Sequence, residues 1–365
     1  MGNGYRDAKE RIKASTRPSA YAWPAAHVGC SIPGAHGCAK PRSRLFGRAV
    51  SPVAETILFV FGLVALGYLA GLTGYLKVAV SDALTEFAVG VALPLLLFRT
   101  MVGADFHGSA PWALWAAYFS AAAVAWLVGH LAMTRIFGRD PQIGVVGGFS
   151  SAYSNLVLLG IPFMLGALGR EGFEVLSLLI AIHMPAMTMV SIILFDLFGH
   201  RKAGTISAGE ILRAFARRVL PNPLMIGIVA GVAWRFTGLE LSSFVGRLID
   251  SLADIAGPLA LFAMGLGLKK FSISGNVLPA AVLSLLKLFL MPAVALGAAL
   301  LLGLPPMTAK VAVVAAALPA GVNSYLLAVQ FGTGQALASS QITIATACAA
   351  VSTAFWLMVA HAVFG

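Results

Sequence analysis

The chain has 365 residues, of which 59% are hydrophobic and 11% are charged, and its formal net charge is +11. Soluble domains carry about 25% charged residues, so this composition excludes an ordinary soluble protein and indicates an integral membrane protein. The basic residues stand at the ends of apolar runs, which excludes a nucleic-acid-binding face, and three cysteines cannot form a disulfide framework.

Residues 1–50 form a basic N-terminal segment that differs from the rest of the chain. They contain nine of the 25 lysines and arginines, and no apolar run long enough for a signal-peptide core. We predict a disordered tail or, as the alternative, a non-native extension from a reading frame that starts too early. His27, Cys30, His36 and Cys38 are of zinc-ligand type, but their spacing fits no common zinc finger, and no metal site is predicted.

From residue 53 onward, apolar blocks alternate with short polar turns. A helix needs about 20 residues to cross about 30 Å of hydrocarbon, and a helix satisfies its own backbone hydrogen bonds in lipid. We therefore predict an all-α integral membrane protein with ten transmembrane helices, in two five-helix units at 53–199 and 219–364 joined by a cytoplasmic loop at 200–218. The predicted spans are 53–72, 82–102, 111–137, 142–167, 173–199, 219–237, 244–268, 276–303, 308–331 and 337–364.

The loop charges predict the orientation of the helices. One set of loops contains ten basic residues and the other set contains five. Because cytoplasmic loops carry the excess of Lys and Arg, both ends of the ten-helix body are predicted to be non-cytoplasmic, in the inner (plasma) membrane of the cell. The basic tail favours the opposite orientation. The first set is Lys77, Arg135, Arg139, Arg201, Lys202, Arg213, Arg217, Arg218, Lys269 and Lys270, and the second is Arg99, Arg170, Arg235, Arg247 and Lys310.

Two short matches indicate that the second unit repeats the first. "PLLLF" at Pro94–Phe98 matches "PLALF" at Pro258–Phe262, a shift of 164 residues. "NLVLLGIPF" at Asn155–Phe163 matches "NSYLLAVQF" at Asn323–Phe331, a shift of 168 residues. A unit of five helices starts and ends on opposite sides of the membrane, so its second copy would be inserted upside down. Inverted repeats of this kind are common in secondary transporters.

The fourth and ninth spans both combine helix breakers with hydrogen-bonding side chains in mid-span, at 150–162 and 319–331. Freed backbone groups at membrane depth are tolerated where they line a cavity or are buried in protein. Two broken helices that meet near the midplane would bring together N-terminal ends, which attract anions, and freed carbonyls, which hold cations. The alternative is a pair of proline kinks whose Asn and Ser side chains connect neighbouring helices.

These features together resemble the auxin efflux carrier family, within the superfamily of bile-acid, arsenite and riboflavin transporters. The resemblance covers 53–364 and rests on "VALPLLLF" (91–98), "SNLVLLGIP" (154–162), "NPLMIGIVAG" (222–231), "GPLALFAMGLGL" (257–268) and "PAGVNSYLLA" (319–328). It implies a secondary transporter of small organic anions, malonate-like, malate-like or auxin-like, that works by elevator-type alternating access. Spans four and nine would cross at the substrate, spans 3–5 and 8–10 would move, and spans 1, 2, 6 and 7 would form the scaffold.

The resemblance places Asn155 and Pro162 in the first crossover and Asn323 in the second. Gln330 stands where a partner of Pro162 is expected, and Pro319 lies earlier, so the place of the second break stays open. With the neighbouring polar residues, the candidate substrate-binding residues are Tyr153, Ser154, Asn155, Pro162, Asn323, Ser324 and Lys287.

Three of the ionisable residues within predicted spans are candidates for a role in transport. Lys287 is about 16 Å into the eighth span at 1.5 Å per residue, and a charge at the bilayer centre costs at least about 2.5–3.5 kcal/mol. It is predicted to be a positive group beside the anion, a proton-linked switch, or half of a buried pair with an acid. His183 and Asp254 are the candidates for binding a coupling ion, H⁺ or Na⁺; the alternatives are a helix-packing hydrogen bond and an acid at a helix start.

The sequence is also compatible with functions other than anion transport. A sodium-coupled bile-acid-type symporter is the alternative within the same fold, and a channel or sensor is a further one. An enzyme is not predicted, because the chain has no HExxH, GxSxG or P-loop motif, and no cofactor is expected. The small residues of "GLVALGYLAG" (62–71) predict a close helix contact, either within the chain or in a homodimer.

Overall fold

The computed structural model describes residues 52–104, 111–198, 209, 213, 221–273 and 275–365, which are mostly helical and contain no strand. The predicted tail at 1–50 and nearly all of the predicted loop at 200–218 lie outside the described residues. The helices are α1 (Pro52–Leu72), α2 (Val80–Val102), α3 (Pro111–Ile136), α4 (Pro141–Ala152), α5 (Ile161–Phe198), α6 (Pro223–Thr237), α7 (Ser243–Asp254), α8 (Ala256–Gly267), α9 (Val277–Leu301), α10 (Pro306–Ala317), α11 (Asn323–Gln330) and α12 (Gln335–Phe364).

The described helices have the length and composition of membrane-spanning segments. Seven helical segments in the described ranges are long and apolar enough to cross a bilayer, and the shorter apolar helices α6 and α10 accompany them. One of the seven, Pro141–Phe198, contains two predicted spans. The prediction of an all-helical membrane protein is therefore confirmed, while the count of ten spans stays a prediction.

Prolines shape several of these helices. A proline cannot donate to the carbonyl four residues earlier and clashes with it, which bends or interrupts a helix. Wider π-helical turns at Ala88–Ala92, Leu156–Gly160 and Leu286–Leu290 each end two residues before a proline. These turns lengthen the helix repeat where the proline ring needs room.

Glycines bring two pairs of helices into backbone contact. A Cβ added to Gly67 of α1 would lie 2.1 Å from the Phe262 carbonyl oxygen of α8, and one added to Gly265 would lie 2.0 Å from the Val64 carbonyl oxygen. Gly227 of α6 meets α2 in the same way. Since α8 covers Gly67, this glycine of segment 62–71 makes a close contact within the chain, and a homodimer stays a prediction.

The short helices α4 and α10 are enclosed by protein. All residues of α4 from Gly144 to Ala152 are buried, and so are all residues of α10 from Thr308 to Ala317. Gly148 of α4 lies against Trp126 of α3, where an added Cβ would be 2.1 Å from the indole ring. Both helices end inside the molecule, which is where the backbone can leave helical geometry without facing lipid.

Candidate functional site

The first interruption of a helix separates α4 from α5. Tyr153 takes an extended conformation, with φ −78° and ψ 122°, and regular geometry resumes in the π-helical turn that begins at Leu156. Asn155 caps this turn, because its side-chain oxygen accepts a hydrogen bond from the Leu158 amide at 3.2 Å. Asn is well suited to such a cap, since its side chain can replace the missing backbone acceptor. The break therefore lies at residues 153–155, several residues before Pro162.

The second interruption separates α10 from α11. Leu318 is extended, with ψ 145°, and helical geometry returns at Asn323, the first residue of α11. Pro319 lies within this break, which answers the question left open by Gln330. Asn155 and Asn323 thus stand at the start of the helical segment that follows each break. They are also the residues that the 168-residue shift aligns.

The two breaks are in direct contact. The Asn155 amide donates to the Pro319 carbonyl oxygen at 2.9 Å, and the Asn323 side-chain amide donates to the Tyr153 hydroxyl at 2.5 Å. A Cβ added to Gly321 would lie 3.2 Å from the Tyr153 ring, so the absence of a side chain there permits the close approach. Residues far apart in sequence are therefore joined by both main-chain and side-chain hydrogen bonds.

A cavity of about 400 Å³ opens at this junction. Its lining includes both breaks, with Tyr153, Ser154 and Asn155 from the first and Gly321 and Asn323 from the second. Aliphatic side chains from α2, α5, α6, α8 and α11 form most of the remaining wall. No group of three or more His, Cys, Asp or Glu residues that could hold a metal ion occurs in the described part of the chain. The cavity therefore offers helix N-termini and amides rather than metal ligands.

Lys287 lies directly behind the cavity wall. It is fully buried in α9, and its ammonium donates to the Ser154 hydroxyl at 2.8 Å, the Ala316 carbonyl oxygen at 2.6 Å and the Met291 sulfur at 3.1 Å. These contacts use all three donors of the ammonium. One partner belongs to the first break and another to the last turn of α10, where a cation also complements the negative end of the helix dipole. Lys287 thus connects the two interrupted segments, and within the described residues its partners are neutral.

His183 of α5 lines the cavity among aromatic rings. The centre of its ring lies 4.5 Å from that of Tyr153 and 5.5 Å from that of Tyr118. Both ring nitrogens are buried and make no well-formed hydrogen bond to the described residues, although the main chain of Ser154 lies close to the ring. The ring nitrogens of the imidazole are therefore available for hydrogen bonds to a molecule in the cavity.

The structure places the other predicted residues outside the cavity lining. Pro162 is the second residue of α5, and Ser324 is buried in the first turn of α11. Asp254 ends α7, and its carboxylate and that of Asp250 pair with Arg99 of α2 at 2.7 and 3.1 Å. More than half of the Asp254 side chain is exposed, at 53%. Of the two candidates for a coupling ion, His183 is the one that the fold brings to the cavity.

Three residues at the site were not predicted. The Tyr118 hydroxyl donates to Ser154 at 2.8 Å, and the Met264 sulfur accepts from the Asn155 side-chain amide at 3.3 Å. Asn222 lines the cavity and caps α6 by accepting from the Leu224 amide at 3.0 Å. The Asn-Pro pair at 222–223 is a helix-start signal that could have identified Asn222. Tyr118 and Met264 lie on regular apolar helices, and nothing in the local sequence marks them.

Comparison with known proteins places the chain among transporters. The sequence profile of the family described as "Membrane transport protein" matches residues 52–357. An "Uncharacterized transporter" of Methanothermobacter thermautotrophicus is 28% identical over 84% of this chain and 97% of its own length. A "Putative malonate transporter" of Rhizobium meliloti is 28% identical over 81% of this chain and 92% of its own length.

A plant relative is more distant. Auxin efflux carrier component 8 of Arabidopsis thaliana is 23% identical over 53% of this chain and 65% of its own length. The two microbial relatives align over nearly their whole lengths, so the described fold corresponds to almost all of each.

Proposed function

This chain belongs to the membrane transport protein family, which includes the auxin efflux carriers, and we propose that it is a secondary active transporter of small organic anions. The family and its relatives are membrane transporters and not enzymes, as predicted from the sequence.

The contact between the two breaks at the cavity is the observation that carries the proposal. The helical segments that follow the breaks begin at Leu156 and Asn323, and both starting points lie at the cavity. The N-terminal end of a helix attracts anions, because its amides and its dipole present partial positive charge. We infer that the substrate carboxylate binds between Asn155 and Asn323, with Ser154 and Tyr153 as further hydrogen-bonding partners.

The charge arrangement favours an anion over a cation. Two of the C-terminal carbonyls beside the breaks already have side-chain donors: Lys287 donates to Ala316, and Gln341 donates to the Ser150 carbonyl oxygen at 3.2 Å. The N-terminal ends of the helical segments that follow the breaks, in contrast, lie at the cavity. A cation bound at the breaks would compete with these two side chains for the carbonyls.

Helix packing supports two inverted repeats and a scaffold that stays in place. If spans 6–10 repeat spans 1–5, span six corresponds to span one and span seven corresponds to span two. The contact of span one (α1) with span seven (α7 and α8) is then equivalent to the contact of span six (α6) with span two (α2). The glycine-mediated contacts of α1 with α8 and of α6 with α2 are this pair. The cavity is lined by α2, α6 and α8 of these helices and by the two breaks, with further residues from α5 and α12. An elevator-type movement would carry the breaks, with their substrate, along the scaffold.

The substrate class is proposed to be mono- or dicarboxylates. The name of the Rhizobium relative refers to malonate and that of the plant relative to auxin, and a cavity of about 400 Å³ accommodates either size. Coupling to H⁺ is proposed through His183, since it lines the cavity, whereas Asp254 is paired with Arg99 elsewhere. A sodium-coupled symporter stays as the alternative.

Replacing Asn155 or Asn323 by alanine is expected to weaken carboxylate binding about tenfold or more, since a lost hydrogen bond to a charged group is worth about 1.5–3 kcal/mol. The measurement is a thermal-shift titration of the purified protein with malonate, malate and indole-3-acetate, with and without sodium at several pH values. Counterflow in liposomes then measures transport of the acid that binds.

The matched control is Asn276→Ala, since Asn276 precedes α9 and accepts from Arg139 at 3.2 Å, away from the cavity lining. Unchanged affinity in both Asn155→Ala and Asn323→Ala would refute the proposed carboxylate site. Steady single-channel current without saturable counterflow would favour the channel alternative.

A further inference from the structure

The rim of the cavity carries one ion pair. Among the described residues that line the cavity, Asp82 and Lys270 have the only formal charges, and the Lys270 ammonium contacts the Asp82 carboxylate. Asp82 lies in the first turn of α2, and Lys270 ends the short 3₁₀ turn after α8. The pair therefore bridges two helices that are distant in sequence.

Exposure shows that this pair stands where the cavity meets its surroundings. The side chains of Asp82 and Lys270 are 75% and 33% exposed, whereas Ser154 and Asn155 at the other side of the cavity are buried. An ion pair this exposed contributes little to stability and can separate at low cost. The two residues are thus suited to exchange partners.

The adjacent lysine, Lys269, makes a different contact. The Lys269 ammonium donates to the Gly71 carbonyl oxygen at 2.6 Å, which fixes it to the end of α1, and Lys269 does not line the cavity. Lys270 is thus the lysine of this turn that faces the route to Asn155 and Asn323.

We propose that Lys270 and Asp82 form an exchangeable gate, in which the carboxylate of an entering anion replaces Asp82 on the Lys270 ammonium. This rests on the proposed function for the nature of the substrate. The exchange conserves charge at the lysine, since one carboxylate replaces another. The released Asp82 carboxylate repels a second anion, so the gate would favour anions that enter singly. Without the Lys270 ammonium, the remaining Asp82 carboxylate would slow the entry of anions more than the entry of cations.

The test measures passage of small ions into the cavity and needs no knowledge of the substrate. In the full chain, Cys30, Cys38 and Cys348 are replaced by serine and Val322, which lines the cavity, by cysteine. Reaction rates are measured with an anionic reagent, sulfonatoethyl methanethiosulfonate, and with a cationic one, trimethylammonioethyl methanethiosulfonate. The ratio of the two rates within each variant is independent of protein amount.

Removing the cation at the rim is expected to slow the anionic reagent. Lys270→Gln should lower the anionic-to-cationic rate ratio about three- to tenfold, and Asp82→Asn should raise it by a similar factor, because each leaves one unpaired charge beside the path. High salt should reduce both effects, since exposed charges are screened.

Lys269→Gln is the matched control, because it makes the same change in net charge one residue away. Equal ratios in Lys270→Gln and Lys269→Gln, or no change in either, would overturn the gate. Failure of every carboxylate to stabilise the protein would instead refute the proposed function, and the reaction rates would still report on the rim.

Discussion

Replacing Lys287 by methionine is expected to weaken binding of the transported anion about 100-fold. The Lys287 ammonium touches Ser154, whose other side lines the cavity, so an anion hydrogen-bonded to Ser154 would lie about 6 Å from the positive charge. At that separation and an effective dielectric constant of about 20, two unit charges attract by about 3 kcal/mol, which corresponds to about 100-fold in affinity. The measurement is a titration with the carboxylate that binds the unmodified protein.

Stability should change much less than affinity. Methionine removes a buried ammonium, which relieves a desolvation penalty of several kcal/mol. It leaves the Ala316 carbonyl without its donor, at a cost of about 1–3 kcal/mol, while Ser154 still accepts from Tyr118. These opposing effects are similar in size, so we expect the melting temperature of the free protein to shift by only a few degrees.

The control for Lys287→Met is Lys310→Met, which makes the same charge change at the beginning of α10. The Lys310 ammonium contacts the Gly365 carbonyl and does not line the cavity, so affinity should be retained. Unchanged affinity in Lys287→Met would contradict the role of this charge. Equal losses in both variants would assign the effect to overall charge.

The sequence predicted the all-helical membrane architecture well, because it depends on local composition. The ends of predicted spans such as 53–72 and 337–364 lie within two residues of α1 and α12. The polar residues around Asn155 and Asn323 stood out because they lie together with helix breakers inside apolar runs. The exact breaks, at 153–155 and 318–322, were harder to place, since Pro162 is tolerated in the first turn of a helix and leaves no interruption there.

Partnerships across the chain could not be read in the same way. One of the three interpretations of Lys287 paired it with an acid, but its partners are Ser154 and the Ala316 carbonyl, which are 133 and 29 residues away. Asp254 carries a charge suited to ion coupling, but its pairing with Arg99 depends on how α2 and α7 meet. A single sequence shows which residues are unusual and not which of them touch. Which residues touch depends on how the helices pack, and the packing of α1 against α8 depends on the glycines at their contact.

Replacing Gly67 by alanine is therefore expected to destabilise the protein by about 2–3 kcal/mol, which lowers the melting temperature by about 5–10 °C. The new methyl group would meet the Phe262 carbonyl oxygen at 2.1 Å and the Leu266 amide nitrogen at 2.9 Å. Both atoms belong to the backbone of α8, so no side chain can rotate away and the two helices must separate. The measurement is the melting temperature in detergent, since unfolding from a membrane is rarely reversible.

Gly62→Ala provides a control of opposite sign in the same helix. A Cβ at Gly62 meets no atom within 4 Å, so the substitution should stabilise α1 by up to about 1 kcal/mol through helix propensity alone. If both variants melt alike, α1 and α8 are not in backbone contact, and the proposed scaffold loses its support. If Gly67→Ala melts lower and also loses transport, the contact of α1 with α8 is needed for the cavity that α8 helps to line through Met264.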